Sequence, residues 1–542
     1  MKIKLSGIMI MAGLATLITA CASASGSRKP KAEVKDKITV NVDFSAEKIP
    51  VSPYIFGIND GADLKKVQPK SIRLGGNRMT AYNWETNKSN AGSDWHNASD
   101  DYLVSKIPSQ YKTLPGGPAL NVSQNAENHN IPYTLLTLQM AGYVAKTNGN
   151  MTLKNELDGK DWCKVVNRKN DKFLTRPDVT DNVVYTDEYL NYLDKMIGKS
   201  NSKSGFKGYA LDNEPALWQH THSLIQRKPL LTEELMAKSI DLALTVKDFD
   251  PDADVFGPCL FGYSSFCELG ANWKSIKINS LFRYQWFIDY YLDKMKDAET
   301  EYGKRLLDVL DLHYYTEAKG GCGIRACKHY DNDECIKARI NSVRSLYDPD
   351  YKEKSWIQDT GAQFFPLIPK VQASIDKFYP GTKLGFSEYD FGGGEHISGA
   401  IAQTDFLGLL AQKGVYFATI WAYDKADYQF EAINMFTNYD KNGSYFGDNL
   451  IPSATSDDYT ISSFVAENTT DGKLHIILTN KAIHTATKVT INLGSYKDST
   501  AEWYVLDDSG AKIYKAADGI KVKNGQLTVV LDPLSVNQLV LE

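Results

Sequence analysis

Two glutamates stand where short apolar, β-prone runs end: Glu214 in GYALDNEPALW and Glu388 in KLGFSEYDFGGG. A pair of carboxyl groups held across a sugar–sugar bond can cut it, one protonated to assist the departing oxygen and the other ionised to attack carbon or activate water. Asn213, beside Glu214, could hold a sugar hydroxyl. Pro215 forces extended or turn geometry before helix can resume, and Gly392, Gly393 and Gly394 would let a loop approach a ligand closely. A lone glutamate at a strand end is ordinarily just solvated. The pair gains meaning only if the fold brings the two together.

The chain around them alternates short β-prone runs with longer segments of helical period, the pattern of a repeated βα unit. Eight strands are predicted at Tyr54–Ile58, Ser71–Leu74, Tyr133–Leu138, Gly208–Leu211, Asp254–Gly257, Leu307–Leu312, Leu384–Ser387 and Val415–Trp421. Helices are predicted at Glu188–Ile197, Thr232–Lys247, Phe282–Lys296, Leu367–Phe378 and Ala400–Gln412. Glu214 then follows the fourth strand and Glu388 the seventh, at the strand ends where barrel enzymes place their chemistry. The polar insert from Thr80 to Asn130 reads as an active-site loop. From Tyr459 onward the period changes to two, and Ile38–Phe44 alternates in the same way. The expected fold class is therefore α/β, a TIM-like (β/α)8 barrel with an accompanying β-sandwich domain built from both chain ends. The sandwich reads as a structural partner of the barrel. Expected boundaries are a leader at 1–21, a flexible tether at 22–37, a strand lent to the sandwich at 38–50, the barrel at 51–450 and the sandwich at 451–542.

Composition narrows the partners. The 542 residues hold 61 basic and 66 acidic side chains, a formal charge of −5, which offers no broad attraction to nucleic acid and suits a neutral ligand. Lys2 and Lys4 precede an apolar run from Ile8 to Ile18 that ends in Ile18-Thr19-Ala20-Cys21. Such a run is a processing signal, too short to remain as a spanning anchor. Small residues before Cys21 resemble a bacterial lipobox, implying cleavage before Cys21 and a lipid on its thiol; the alternative is an ordinary secretory leader. An exported, membrane-anchored lipoprotein of the outer membrane or cell surface is expected, monomeric and touching the membrane only through its N-terminal lipid. The other cysteines, Cys163, Cys259, Cys267, Cys322, Cys327 and Cys335, are an even set in an exported chain, where disulfides form. Cys259 with Cys267 is a plausible loop closure, and Cys322, Cys327, His329 and Cys335 form a compact group that could instead hold zinc.

Four long strings sharpen these expectations: RLGGNRMTAYNWE (Arg73–Glu85), SNAGSDW (Ser89–Trp95), LDNEPALWQHTH (Leu211–His222) and FSEYDFGGGEHISGAIAQTDFLG (Phe386–Gly408). In order and content they resemble glycoside hydrolase family 44. The resemblance implies a retaining endo-β-1,4-glucanase, many relatives acting on xyloglucan, with Glu214 as general acid/base and Glu388 as nucleophile. It implies no required cofactor; structural calcium occurs in some members, and no ligand set can be assigned here residue by residue. Tyr314 or Tyr315, beside His313, could hydrogen-bond the ionised Glu388, or be packed rim aromatics. Trp421 could floor the central sugar subsite or belong to the core. Trp84, Trp95 and Trp218 are candidates for stacking along a cleft. Arg73, Asn77 and Asn83 could bind near the centre, although Arg73 could equally be half of a buried pair. Two other functions compete: a non-catalytic surface glycan binder using the same cleft, and a hydrolase of mannan or xylan.

Overall fold

A computed structural model of the chain describes residues 32–152, 157, 159–422 and 425–542. The leader and Cys21 lie outside the described residues. Eight parallel strands close a barrel in chain order: Gly57–Asn59, Ser71–Leu74, Tyr133–Leu138, Gly208–Leu211, Asp254–Leu260, Val309–Tyr315, Lys383–Asp390 and Phe417–Ile420. Every expected strand is present and in its expected place in the order. The ends differ for local reasons. Pro53 fixes the first position of a short 3-10 turn, Pro53–Ile55, capped by the Ser52 hydroxyl, so the first strand starts only at Gly57. Strand seven runs on to Asp390, which places Glu388 inside it instead of in the following loop.

The barrel helices follow the apolar period, with shifted starts. Helix Phe287–Tyr302 begins five residues after the expected Phe282, and helix Ile397–Gln412 begins earlier than Ala400. The insert at 80–130 is more than an active-site loop. Its Gly117–Asn128 segment is the helix that packs on barrel strands two and three, and its Gly117-Pro118 start sets it off from the polar stretch before it.

Two sheets from both chain ends make the second layer. One holds Ser453–Thr455, Val34–Val42, Ala486–Asn492 and Gln526–Leu531; the other runs Ile49–Pro50, Asn449–Ile451, Ile461–Asn468, Lys473–Asn480, Ser535–Leu541, Ser499–Leu506 and Tyr514–Val522. The N-terminal strand pairs parallel to Ala486–Asn492 and antiparallel to Ser453–Thr455, as its alternating Ile38 and Val40 require. Strand Tyr514–Val522 is a largely exposed edge with little apolar alternation, so a period of two does not mark it.

The seven-stranded sheet is clamped to the helix after strand seven. Phe464 lies so close to Gly408 that a Cβ there would sit 2.4 Å from the ring. On the same helix, Asp405 accepts from Thr479 Oγ1 at 2.8 Å and Ser462 Oγ at 2.9 Å, with Lys481 Nζ at 3.3 Å. One apolar cluster runs from the barrel through Phe464, Ile477 and Val540 of this sheet. The sandwich thus holds the outer face of the helix that follows Glu388.

Candidate active site

Strands alternate their side chains, so Asp311, His313 and Tyr315 on strand six share the face that points into the barrel, and Tyr314 must point away. That parity organises the site. The Tyr315 hydroxyl donates to Glu388 Oε2 at 2.7 Å. Tyr314 is buried outside, 6.0 Å from the Phe391 ring centroid, and takes no part. His313 Nδ1 lies 2.9 Å from Glu214 Oε1 and 3.5 Å from Glu388 Oε2, while its Nε2 meets Ser387 Oγ at 3.1 Å. A carboxylate oxygen from each glutamate and a His313 ring nitrogen all come within 4.8 Å of one another.

Glu388 is the more enclosed carboxylate. Its second oxygen accepts from Arg73 Nη1 at 2.7 Å, across a pair whose side chains are 0% and 7% exposed. Arg73 is held in turn: Nη1 donates to Asn59 Oδ1 at 3.0 Å and Nη2 to Asn213 Oδ1 at 2.8 Å. Burial alone would raise the Glu388 carboxyl, but the His313 and Arg73 charges and the Tyr315 hydrogen bond outweigh it and hold Glu388 below the ordinary glutamate value. Burial likewise opposes charge on His313, and the two glutamates overcome it, raising the imidazole above its usual value.

Glu214 sits in a turn. Its φ of +46 is left-handed, a conformation an L-residue adopts only when the surroundings enforce it. Its N–H donates to the Cys259 carbonyl of strand five at 3.1 Å, and the Trp218 indole donates to the Asn213 carbonyl at 3.0 Å. Asp212, also left-handed, accepts from Thr80 Oγ1 at 2.6 Å and from the Ala141 and Asn213 N–H groups at 3.0 and 2.7 Å. Burial pushes Asp212 up to about 6 in spite of those donors.

The remaining expected residues divide. Asn77 accepts from Asn213 Nδ2 at 3.4 Å and donates to Asp94 at 3.0 Å, so it braces the Asn-Glu turn. Asn213 itself links Arg73 to Asn77. Trp421 follows strand eight, half-buried, with its ring over Gly76: a Cβ on Gly76 would lie 2.4 Å from it, and Gly76 has φ +84. Trp95 is 62% exposed. Trp84 and Trp218 are not cleft platforms. Trp84 is 1% exposed and stacked on Tyr189 at 4.9 Å, because the insert folds it under helix Thr186–Ile197; Trp218 is fully buried beneath the turn it supports. Asn83 is also internal, donating to the Ala145 carbonyl at 3.0 Å.

Cysteine pairing differs from expectation as well. Cys259 faces the barrel interior and donates to Asp311 Oδ2 at 3.0 Å, whereas Cys267 ends an outer helix, so no Cys259–Cys267 closure forms. The disulfide among the described residues is Cys322–Cys327, with Cys335 Sγ 2.9 Å from Cys327 Sγ. It takes two of the thiolates a zinc ion would need, and His329 stays exposed and apart from the group. Neither this cluster nor Glu214, His313 and Glu388 offers the six to eight oxygens that calcium takes.

A parallel eight-stranded barrel whose strands four and seven bring two glutamates around one imidazole has the architecture of a glycoside hydrolase. Comparison with known proteins makes the assignment specific. The sequence pattern of glycoside hydrolase family 44 matches residues 88–318. Endoglucanase A of Paenibacillus lautus is 41% identical over 516 residues, 93% of this chain and 72% of the relative. The solved family 44 endoglucanase from Clostridium thermocellum has a TM-score of 0.90 and 40% identity, covering 94% of this chain and all of that one. A Paenibacillus polymyxa xyloglucanase of the family, solved with xyloglucan, gives 0.89 and 40%, over 93% and 99%. The chain belongs to glycoside hydrolase family 44. It is an endo-acting glycoside hydrolase, and the non-catalytic alternative is not favoured.

His313, Asn59, Ser387 and Asp212 were missed as site residues. Period two along Asp311, His313 and Tyr315 was a usable signal for His313 and for choosing Tyr315 over Tyr314. Asn59 had none, since its amide earns a place only by reaching the Ser387 carbonyl at 3.0 Å, 328 residues away.

Proposed function

We propose that the protein cleaves β-1,4-glucan backbones, xyloglucan or soluble cellulose derivatives, with retention of configuration. The observation that supports this reading most directly is the approach of the two carboxylates to within 4.8 Å around His313. Retaining enzymes hold the pair about 5–5.5 Å apart, whereas inverting ones leave roughly 6.5–9.5 Å for a water. In this reading Glu388, kept ionised by Arg73 and Tyr315, attacks the anomeric carbon while Glu214 protonates the departing oxygen. The sugar–Glu388 ester is then opened by water, which gives its proton to Glu214. His313 fixes the Glu214 carboxylate on the side facing Glu388.

Glucanase is common to the names of the relatives that share most of the chain, one of which is also called a β-mannanase, and this supports glucan as the substrate. The chemistry drawn here uses side chains alone, so exhaustive chelation is expected to leave kcat unchanged. We further propose that Cys21 carries a lipid that holds a monomeric enzyme on the outer membrane or cell surface; Cys21→Ser should abolish labelling by radioactive palmitate and release the protein. The decisive test is NMR of the first product anomer from xyloglucan oligosaccharides. β-Configured product is expected, and α-configured product would end the retaining mechanism.

A further inference from the structure

A trough runs outward from the Glu214 turn along the C-terminal rim of the barrel. Its inner part, about 520 Å³, begins at Ala216 and Leu217, just past Glu214, and passes Phe261. Its outer part, about 890 Å³, is lined by Tyr263, Phe282, Tyr284, Trp356 and Phe364. The two adjoin along Ser264, Glu268, Trp273 and Lys274, which stand in the walls of both.

The outer part leaves large apolar rings open to solvent on a braced rim. Phe282 is 66% exposed and Trp356 is 40% exposed, although both are large apolar side chains. Leu281 and Phe282 both hold left-handed backbone, at φ +51 and +58, a conformation that costs free energy in L-residues. The rim is also braced: Trp356 meets Tyr263 edge to face at 6.0 Å, and the Tyr263 hydroxyl donates to the Gly361 carbonyl. Among the rings stand Gln285, Gln363 and Thr360, with Lys277 and Glu268 supplying opposite charges. Flat apolar faces interspersed with neutral hydrogen-bonding groups suit a neutral sugar chain, which offers CH faces and equatorial hydroxyls.

We infer that this trough is the distal path of the glucan chain on its departing side, and that it makes the enzyme favour long polymers over short oligosaccharides. The inference rests on the glucanase reading above. The occupant is set by adjacency: the inner part is lined by Ala216 and Leu217, directly after Glu214, and a polymer whose leaving oxygen is protonated by Glu214 extends toward it.

The test is the double variant Phe282→Ala/Trp356→Ala, both at exposed positions outside the catalytic machinery. KM on high-molecular-weight xyloglucan should rise about ten-fold, the effect of losing two stacking contacts of ordinary strength. The polymer kcat, the kcat/KM on cello-oligosaccharides of four units and the thermal midpoint should stay at the parent values. Retardation in native gels cast with xyloglucan should fall in parallel, and Phe282→Tyr/Trp356→Phe should restore both. An unaltered polymer KM and gel mobility overturns the inference, as does an equal loss on polymer and tetrasaccharide. Sedimentation of the parent as a dimer that the double variant dissolves, with KM unchanged, would give this face to a second copy and overturn it too. A parent enzyme inert on every β-1,4-glucan would instead sink the glucanase reading itself.

Discussion

The turn after strand four and the end of strand seven both present a glutamate to the same imidazole, His313, yet they are built in opposite ways. Glu388 lies within a strand, just past a shift of register at Ser387, and its charge is matched by Arg73, Tyr315 and His313. Glu214 stands in left-handed backbone, its side chain 13% exposed and bonded to His313 at 2.9 Å. A nucleophile must stay anionic and in line, which calls for fixed positive charge and donors on both carboxylate oxygens. An acid/base must exchange protons twice per turnover, which calls for access and a lighter grip. The asymmetry of the two surroundings suits the two roles proposed for them.

The strongest way to break this comparison is to remove each carboxylate in turn. Glu388→Ala and Glu214→Ala should each lower kcat on xyloglucan severely, Glu388→Ala by about 10⁴-fold or more. Added azide should then separate them: the Glu388→Ala enzyme is expected to yield the α-glycosyl azide, because azide enters from the vacated nucleophile side in a single displacement, and Glu214→Ala the β-glycosyl azide. The same anomer from both would show that the roles are not divided as drawn. Next, Arg73→Ala leaves Glu388 buried without its cation, which should cost about 3–5 kcal/mol of stability in urea unfolding and most of the activity. A stable, active variant would mean that Arg73 is dispensable to the Glu388 charge.

Tyr315→Phe sharpens the comparison by removing one donor and nothing else. It should lower kcat by about 10- to 100-fold, the worth of a hydrogen bond to a charged group. The sign of its pH effect follows from Glu388. That carboxyl is held below its ordinary value, so its favourable interactions are fully present above the unfolded value, about 4.3, and are lost as pH falls through the lower folded value. Without Tyr315 the folded value moves back up, and the acid limb of kcat/KM should shift to higher pH; an unmoved limb would contradict the assignment. The smallest expected effect is from Trp95→Ala. Its exposed ring touches neither carboxylate, so KM on polymer should change about three-fold or less with kcat constant.

Strand order, barrel class and both glutamates were legible because they rest on local period and local motif. Tyr315 against Tyr314 was half-legible: strand parity favours Tyr315, but only once the register of strand six is fixed by its end at Tyr315 rather than Leu312. Trp84, Trp95 and Trp218 read alike in sequence and part ways in space. Two are enclosed by segments distant in the chain, as when Tyr189 closes over Trp84, and no local pattern reports that. The cysteines show the same limit, since an even count says nothing about which sulfur atoms the barrel wall keeps apart.

By itself the sequence determined the period of each element, the proline and glycine breaks between them, and the presence of two carboxylates at the ends of strands four and seven. Those are near-neighbour properties, set by side-chain alternation and backbone sterics within a few residues. Only closure of the barrel decided the electrostatics, because Arg73, Asn213, the His313–Tyr315 pair and Glu388 come from four separate strands and turns. Desolvation and charge pairing act through space, so a carboxylate's protonation in this protein is a property of the closed cylinder and not of the residues beside it in the chain.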